Sequence, residues 1–142
     1  MPTQCFTGGC LCGAVRYRAE GPASNATLCH CKSCRRAAAA PLVAWVTFPR
    51  ATLSYTSGQP ASYRSSEHVS RTFCRACGTP LTYQRTDAGD EIDLTLCSLD
   101  DPNALPPADH TWIRHKLTWL HFDDGLPTFP TTREDGPPPE QR

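Results

Sequence analysis

The stretch Cys29-His30-Cys31-Lys32-Ser33-Cys34 decides how the rest of this sequence is interpreted. It places three thiols within six residues, so that one turn of backbone can direct all of them at a single point. Thiolate sulfur is a soft ligand that favours zinc, copper(I) or iron–sulfur clusters. Zinc takes four ligands in catalytic and structural sites alike, and catalytic sites keep one of the four positions open. The stretch therefore predicts an open metal site.

Two further pairs of cysteines flank this central stretch. One residue separates Cys10 from Cys12, two residues separate Cys74 from Cys77, and each pair adjoins a glycine. Four thiolates around zinc form a closed site with a structural role. We therefore predict that the two pairs share a second ion. The alternative is that these four residues are buried free thiols.

Two alternatives to an open site at Cys29, Cys31 and Cys34 follow from the same residues. His30 or another side chain would close the site as a fourth ligand, although a residue between two ligands usually points away from the ion they share. Alternatively, two of the three thiols would form a disulfide after metal loss, which is a redox role.

Composition narrows the class of protein. The chain has 142 residues, a formal net charge of +0 and a pI of about 6.9, which fits one modest domain and disfavours a nucleic-acid-binding face. We find no signal-peptide pattern and no apolar run of membrane-spanning length, so we expect no membrane partner. Nine cysteines without a secretory signal indicate a reducing, cytoplasmic location, where metal binding is favoured over a disulfide framework.

The hydrophobic pattern predicts a mostly β domain with one short helix. Val15 and Tyr17 alternate with arginines in a half-buried strand over Ala14–Ala19, and Leu42–Phe48 is an almost continuous apolar run typical of a buried strand. The alanine-rich segment Arg35–Ala40 predicts a short helix that ends before Pro41. Further strands are predicted at Val69–Phe73, Leu81–Gln84 and Glu91–Leu96.

The remaining segments give four more predictions. Leu53–Tyr55 and Ala61–Arg64 flank Ser57-Gly58 and predict a hairpin. His110–Leu120 is expected to contain one more strand. The folded domain is expected to cover residues 1–130, and the polar, proline-rich segment 131–142 is expected to be a flexible tail.

Several single residues are interpreted as ordinary parts of the fold. The tryptophans at positions 45, 112 and 119 are predicted to be core aromatics. Cys5 and Cys97 have no partner at ligand spacing, and we expect Cys5 to be exposed and Cys97 to be buried. His110 and His121 are expected to be surface or packing histidines.

Three motifs carry a resemblance to a known family. The segments Gly9–Tyr17, Cys29–Arg35 and Phe73–Leu81 are similar, in that order, to motifs of the glutathione-dependent formaldehyde-activating family. Glu91–Thr95 and Asp124–Pro127 also resemble later family segments, so the resemblance extends from about residue 9 to residue 129.

This resemblance implies a β-rich fold related to a zinc-bearing β-tent, with two zinc ions per chain. It implies that the structural ion is held by Cys10, Cys12, Cys74 and Cys77. It implies that the open, catalytic ion is held by Cys29, Cys31 and Cys34. It further implies a carbon–sulfur lyase that reversibly joins formaldehyde and glutathione into S-(hydroxymethyl)glutathione.

The substrate is where the chain departs from the family pattern. Ala39 stands where the family usually has glycine, and Leu42 stands where it has an aromatic residue. If that glycine allows a substrate close to the backbone, the pocket is altered here. Three basic residues near the central cysteines are candidate clamps for substrate carboxylates: Lys32, Arg35 and Arg36. A solvated basic face is the more common role of any one arginine taken singly. Lys116 and His115 are further candidates, in a stretch that resembles a family segment near the site.

We therefore predict a zinc-dependent lyase whose partners are a small glutathione-like thiol and an aldehyde. Zinc with three thiolates is a weak Lewis acid but a suitable carrier of an exchangeable thiol. Two alternatives are a zinc-stabilised interaction module without turnover, marked by a closed second site, and a thiol redox or zinc-buffering protein.

Overall fold

A computed structural model describes residues 4–134 of the chain. The fold is mostly β, with two sheets and one α-helix of seven residues, as the sequence predicts. In chain order the elements are β1 Cys5–Gly9, β2 Arg16–Glu20, β3 Ser24–Cys29, α1 Lys32–Ala38, β4 Val43–Pro49, β5 Ser54–Ser57, β6 Ala61–Ser66, β7 Val69–Phe73, β8 Pro80–Arg85, β9 Glu91–Thr95 and β10 Asp109–Thr111. Within residues 4–134, no helix is long and apolar enough to cross a membrane.

The strands form a small sheet and a large one. The small sheet has the order β1-β2-β5 and is antiparallel throughout. The large sheet has seven strands in the order β10-β3-β4-β9-β8-β7-β6. Its pairs are antiparallel except at one edge, where β10 lies parallel to β3. The large sheet therefore joins the central cysteine stretch, which follows β3, to strands that come much later in the chain.

One hydrophobic core lies on the face of the large sheet that packs against the small sheet. The predicted alternation is confirmed, because Tyr17 and Ala19 of β2 and Val15 directly before it are buried. Opposite them, Phe48 of β4 is fully buried and its ring meets the Phe6 ring edge to face at 5.5 Å. Burying an aromatic ring of this size stabilises the fold by about 2 kcal/mol.

The other face of β4 belongs to a second cluster, which explains the unbroken apolar run of that strand. Val46 and Phe48 point to the first core, whereas Val43 and Trp45 pack with Trp112 and the central cysteines. Since both faces of the strand are covered, neither set of alternate positions needs polar side chains. The buried strand predicted at Leu42–Phe48 is confirmed as β4.

The hairpin predicted around Ser57-Gly58 is wrong. Strand β5 pairs with β2 in the small sheet, whereas β6 pairs with β7 in the large sheet. The turn signal is real, because Gly58 has a φ of +66°, and a Cβ there would lie 2.2 Å from the Ala14 carbonyl oxygen. The turn therefore sends the chain from one sheet to the other.

Three other boundaries differ from the predictions. Helix α1 begins at Lys32, closer to the central cysteines than expected, and ends at Ala38. The strand expected in His110–Leu120 is only the three-residue β10, which ends at Thr111 and is followed by a short 3₁₀ turn. At the C-terminus, Arg133 forms an ion pair with Asp109, so the segment that we expected to be flexible is bonded at this residue. Residues 135–142 of that segment lie outside the described residues.

Candidate metal centres

The first candidate centre joins two turns of the same form. Cys10 and Cys12 lie in the turn between β1 and β2, and Cys74 and Cys77 lie in the turn between β7 and β8. The first turn is closed by a bond from the Cys10 N–H to the Val15 carbonyl, and the second by a bond from the Gly78 N–H to the Cys74 carbonyl. The adjoining glycines Gly13 and Gly78 have φ angles of +79° and +81°, which glycine adopts without strain.

The spacing of the four sulfur atoms fits a zinc ion. Zinc–sulfur bonds of about 2.3 Å at tetrahedral angles separate the sulfurs by about 3.8 Å. The observed separations are 3.6 Å between Cys10 and Cys12 and 3.8 Å between Cys12 and Cys74, and all four atoms lie within 4.8 Å of one another. A disulfide bond would require about 2.05 Å. The cluster therefore has the donor type, number and spacing of a closed zinc site.

Hydrogen bonds favour the ionised form of two of these four thiols, Cys10 and Cys77. Cys12 differs, because despite a backbone bond from Ala14 its bonds with the neighbouring thiols raise its pKa to about 11. The Val15 N–H donates to Cys10 Sγ at 3.2 Å and lowers the pKa of Cys10. The hydroxyl and backbone N–H of Thr79 lower the pKa of Cys77 to about 5. Because zinc binds thiolates rather than thiols, this arrangement prepares the turn for a cation.

The second candidate centre is built at the start of α1. Cys29 ends β3, Cys31 is the N-terminal cap of the helix, and Cys34 lies in its first turn. The Cys34 N–H donates to Cys31 Sγ at 3.3 Å, so that a thiol takes the capping role more often filled by Ser or Asp. The sulfurs of Cys29 and Cys34 are 3.8 Å apart, and all three converge within 4.8 Å. We call this group the cysteine triplet.

The cysteine triplet lies among apolar side chains. All three cysteines are buried and pack with Val43, Trp45 and Trp112. Hydrogen bonds from Cys29 to the other two thiols, together with burial, raise the pKa of Cys29 well above its usual value. Hydrogen bonds from Cys29 and Cys31, with the positive charge of Arg71, lower the pKa of Cys34 well below its usual value. The first negative charge therefore falls on Cys34, beside Arg71.

The triplet supplies three ligand atoms and no more from the described chain. Within residues 4–134, no fourth Cys, His, Asp or Glu ligand atom joins the group. His30, the candidate fourth ligand, instead bonds through Nε2 to His110 Nδ1 at 2.9 Å. The residues thus fit a four-coordinate zinc ion whose last position is open to a ligand from outside.

His30 belongs to a chain of polar groups that the sequence analysis missed and that runs from two buried histidines to Asp124 at the surface. His110 Nε2 lies 2.7 Å from Asp124 Oδ2, and the Phe122 ring stacks on His110 with 3.9 Å between centroids. Burial and the positive potential of His110 lower the pKa of His30 to about 4. His110 is thus a packing histidine, as predicted, and His121 is exposed. This contact between residues 80 positions apart had no sequence signal.

The basic residues that we predict to bind substrate carboxylates differ in their surroundings. Lys32 and Arg36 are exposed on α1, and Arg35 is half-buried with its Nε atom shielded and without a hydrogen-bond acceptor. The Lys116 ammonium donates to the carbonyls of Leu117 and Leu120 at 3.0 and 2.6 Å, so it is tied to its own segment.

Two interpretations of single residues are wrong. Trp119 is 65% exposed, because the chain after the 3₁₀ turn runs along the surface, whereas the other two tryptophans are buried as predicted. Cys97 is exposed rather than buried, because β9 ends at Thr95 and Cys97 lies in the 3₁₀ turn that follows. Cys5 is exposed, as predicted.

The structure explains why the family pattern has glycine at the position of Ala39. Ala39 caps the end of α1 with φ 50° and ψ 45°, the left-handed conformation in which glycine is favoured. Its N–H donates to Arg36 O, and the next N–H donates to Arg35 O. Backbone conformation at this exposed position therefore accounts for the glycine of the family pattern.

Comparison of the sequence with models of known protein families identifies the family of this chain. The model described as glutathione-dependent formaldehyde-activating enzyme matches residues 5–115. The chain belongs to this family. An uncharacterised lyase of Schizosaccharomyces pombe is 30% identical over 82 residues, which are 58% of this chain and 59% of that protein. The chain thus matches about three fifths of the length of this relative.

A solved structure shows the same fold. The crystal structure of a Rhodobacter sphaeroides protein matches with a TM-score of 0.60 at 22% sequence identity, and the match covers 87% of this chain and 98% of that chain. This match shows that the fold of the chain occurs in a solved structure.

Proposed function

We propose that this protein is a zinc-dependent carbon–sulfur lyase that reversibly joins a small thiol such as glutathione to an aldehyde such as formaldehyde. The observation that carries the proposal is the cysteine triplet, which offers three buried sulfur ligands within 4.8 Å of one another. Family membership and the lyase description of the yeast relative support the same chemistry.

The triplet would hold the working ion, which supplies a cationic position where an incoming thiol is bound as its thiolate. The substrate sulfur then forms a bond to the carbonyl carbon, and the carbonyl oxygen takes up the proton that the thiol released. The product is a hemithioacetal, and the reverse step breaks the same carbon–sulfur bond. No electrons are gained or lost overall.

The surrounding residues have separate roles in this proposal. Trp45 and Trp112 exclude water from the sulfur atoms, which strengthens electrostatic interactions there. Lys32, Arg35 and Arg36 give α1 a basic surface beside the triplet that attracts a carboxylate-bearing thiol. Lys116 contributes indirectly, by holding the backbone of residues 117–120.

The four-cysteine cluster has a structural role in the same proposal. A zinc ion held by Cys10, Cys12, Cys74 and Cys77 would crosslink the β1–β2 turn of the small sheet to the β7–β8 turn of the large one. Such a crosslink adds metal-binding free energy to the stability of a small β domain.

The experiment is two-dimensional exchange NMR of glutathione and formaldehyde at equilibrium, with and without zinc-loaded protein. We expect exchange cross-peaks to strengthen with protein, to return to the uncatalysed level with Cys31→Ser, and to persist with the control Cys97→Ser, which changes an exposed thiol outside both clusters. If two zinc ions are bound per chain and no thiol–aldehyde pair exchanges faster, the lyase proposal fails and a non-catalytic zinc module is favoured.

A further inference from the structure

A row of side chains crosses four neighbouring strands of the large sheet beside the cysteine triplet. In the register of the sheet, Thr47 of β4 pairs with Asp93 of β9, Asp93 with Tyr83 of β8, and Tyr83 with Arg71 of β7. Residues that are directly opposite in antiparallel strands project from the same face. This is the face that carries Trp45, whose ring lies 6.0 Å from that of Tyr83.

Arg71 connects the row to the triplet. Its two terminal nitrogens lie 3.9 and 3.8 Å from Cys34 Sγ, its Nε donates to the Ser65 hydroxyl, and its guanidinium stacks over Tyr83 at 5.0 Å. A guanidinium has five N–H donors, so two remain for another acceptor. Within residues 4–134, no carboxylate lies within ion-pair distance of Arg71.

Asp93 carries a half-buried carboxyl group that forms no ion pair within the described chain. The Thr47 hydroxyl donates to Oδ1 at 2.6 Å, and no Lys, Arg or His of the described chain forms an ion pair with this carboxylate. Burial raises the pKa of Asp93 to about 6, with Glu91 and Cys34 acting in the same direction and the Thr47 hydrogen bond and the charge of Arg133 opposing them. At neutral pH the half-buried carboxylate is therefore ionised and poorly compensated.

We propose that Asp93 and Arg71 form a charge-selective subsite in which Asp93 binds an ammonium group and Arg71 binds a carboxylate of the thiol substrate. The inference rests on the proposed function and adds the two residues that would select its substrate, a zwitterionic thiol of amino-acid or peptide type. Two strand spacings separate the residues by about 10 Å, so the two charges belong to different parts of the substrate. Tyr83 lies on the strand between them, with the Arg71 guanidinium 5.0 Å from its ring and the Trp45 ring 6.0 Å away.

The test compares glutathione with N-acetylglutathione, which keeps the thiol and the carboxylates but lacks the ammonium group. Exchange rates with formaldehyde are measured for the wild type, for Asp93→Asn and for a control, Asp90→Asn, which removes the same charge from an exposed position. We expect Asp93→Asn to lower kcat/KM for glutathione about tenfold or more, mainly through KM, and for N-acetylglutathione less than twofold. The control should match the wild type with both thiols.

The Arg71 half is tested with Arg71→Gln and Arg71→Lys against glutathione and its diethyl ester, with zinc content measured for each variant. Loss of discrimination between acid and ester in Arg71→Gln, with partial recovery in Arg71→Lys, supports the subsite. Equal losses with all thiols overturn it, because they indicate a general effect on the site.

The same variants also separate this inference from the proposed function. Binding of both thiols to each variant is measured by ligand-detected NMR without aldehyde, which requires no turnover. If no exchange is catalysed but Asp93→Asn selectively weakens glutathione, the subsite stands and the lyase proposal fails. If exchange is catalysed and Asp93→Asn weakens both thiols equally, the lyase proposal stands and the subsite is wrong.

Discussion

Replacement of Asp93 by Asn should stabilise the folded protein at neutral pH, even though we propose a part for Asp93 in substrate binding. The carboxyl has a pKa of about 6 in the fold, against an ordinary value of 3.8, because burial disfavours its charge. The folded state therefore binds the proton more tightly than the unfolded chain. The carboxyl lowers stability once pH exceeds the unfolded pKa, and this effect reaches its full size above the folded pKa.

The magnitude follows from these two pKa values. At about pH 7.5 the ionised carboxyl lowers the free energy of unfolding by about 3 kcal/mol, and at about pH 5 by about 1.5 kcal/mol. Asn keeps an oxygen that accepts the Thr47 hydroxyl bond and carries no charge at either pH. The advantage of Asp93→Asn over the wild type should therefore grow by about 1.5 kcal/mol between the two pH values.

The assay is urea-induced unfolding of wild type, Asp93→Asn and Asp90→Asn at both pH values, with free zinc held constant. Zinc binding is also pH-dependent and Asp93 interacts with Cys34 of the triplet, so zinc content is measured for each protein at each pH and only proteins with equal zinc content are compared. Asp90 is exposed, so its replacement should give no comparable pH-dependent gain. A difference between Asp93→Asn and wild type that is the same at both pH values would refute the reasoning.

Three further predictions concern the helix cap, the core and the exposed thiols. Ala39→Gly should raise the free energy of unfolding by about 1 kcal/mol, because glycine adopts the left-handed conformation without strain, whereas Ala37→Gly inside α1 should lower it by about 1 kcal/mol. Changes of the same sign for both variants in urea unfolding would contradict this prediction. Leu94→Ala should cost about 3 kcal/mol in the same assay, because the side chain is fully buried; a loss below about 1 kcal/mol would show that the site collapses around the change. Brief alkylation of zinc-loaded protein should modify Cys5 and Cys97 alone, and removal of zinc by a chelator before alkylation should add further adducts to the intact mass. Equal labelling with and without the chelator would contradict the assignment of two metal centres.

Local features of the fold could be predicted from the sequence because their causes are local. The spacing of Cys29, Cys31 and Cys34 brings the three sulfurs together within one short turn, whatever the rest of the fold does. The alternation of Val15 and Tyr17 with arginines identified a strand with one buried face, because side chains alternate along any strand. The glycines beside the paired cysteines marked the two turns that meet in the four-cysteine cluster.

Features that depend on pairing between distant segments could not be predicted from the sequence. The same turn residues at Ser57-Gly58 suit a hairpin or a crossing between sheets, and only the partners of β5 and β6 distinguish them. The exposure of Cys97 depended on where β9 ends, which is fixed by its pairing with β4 and β8.

The sequence by itself determined the two groups of candidate metal ligands, the β-rich class and the single helix, because ligand spacing and side-chain alternation act within a few residues. Only the tertiary structure decided which side chains surround the triplet. Arg71, Tyr83 and Asp93 lie far from Cys34 in the chain, and they meet on one face because antiparallel register aligns β7, β8 and β9. That register is set by packing across the whole sheet, and no single segment encodes it.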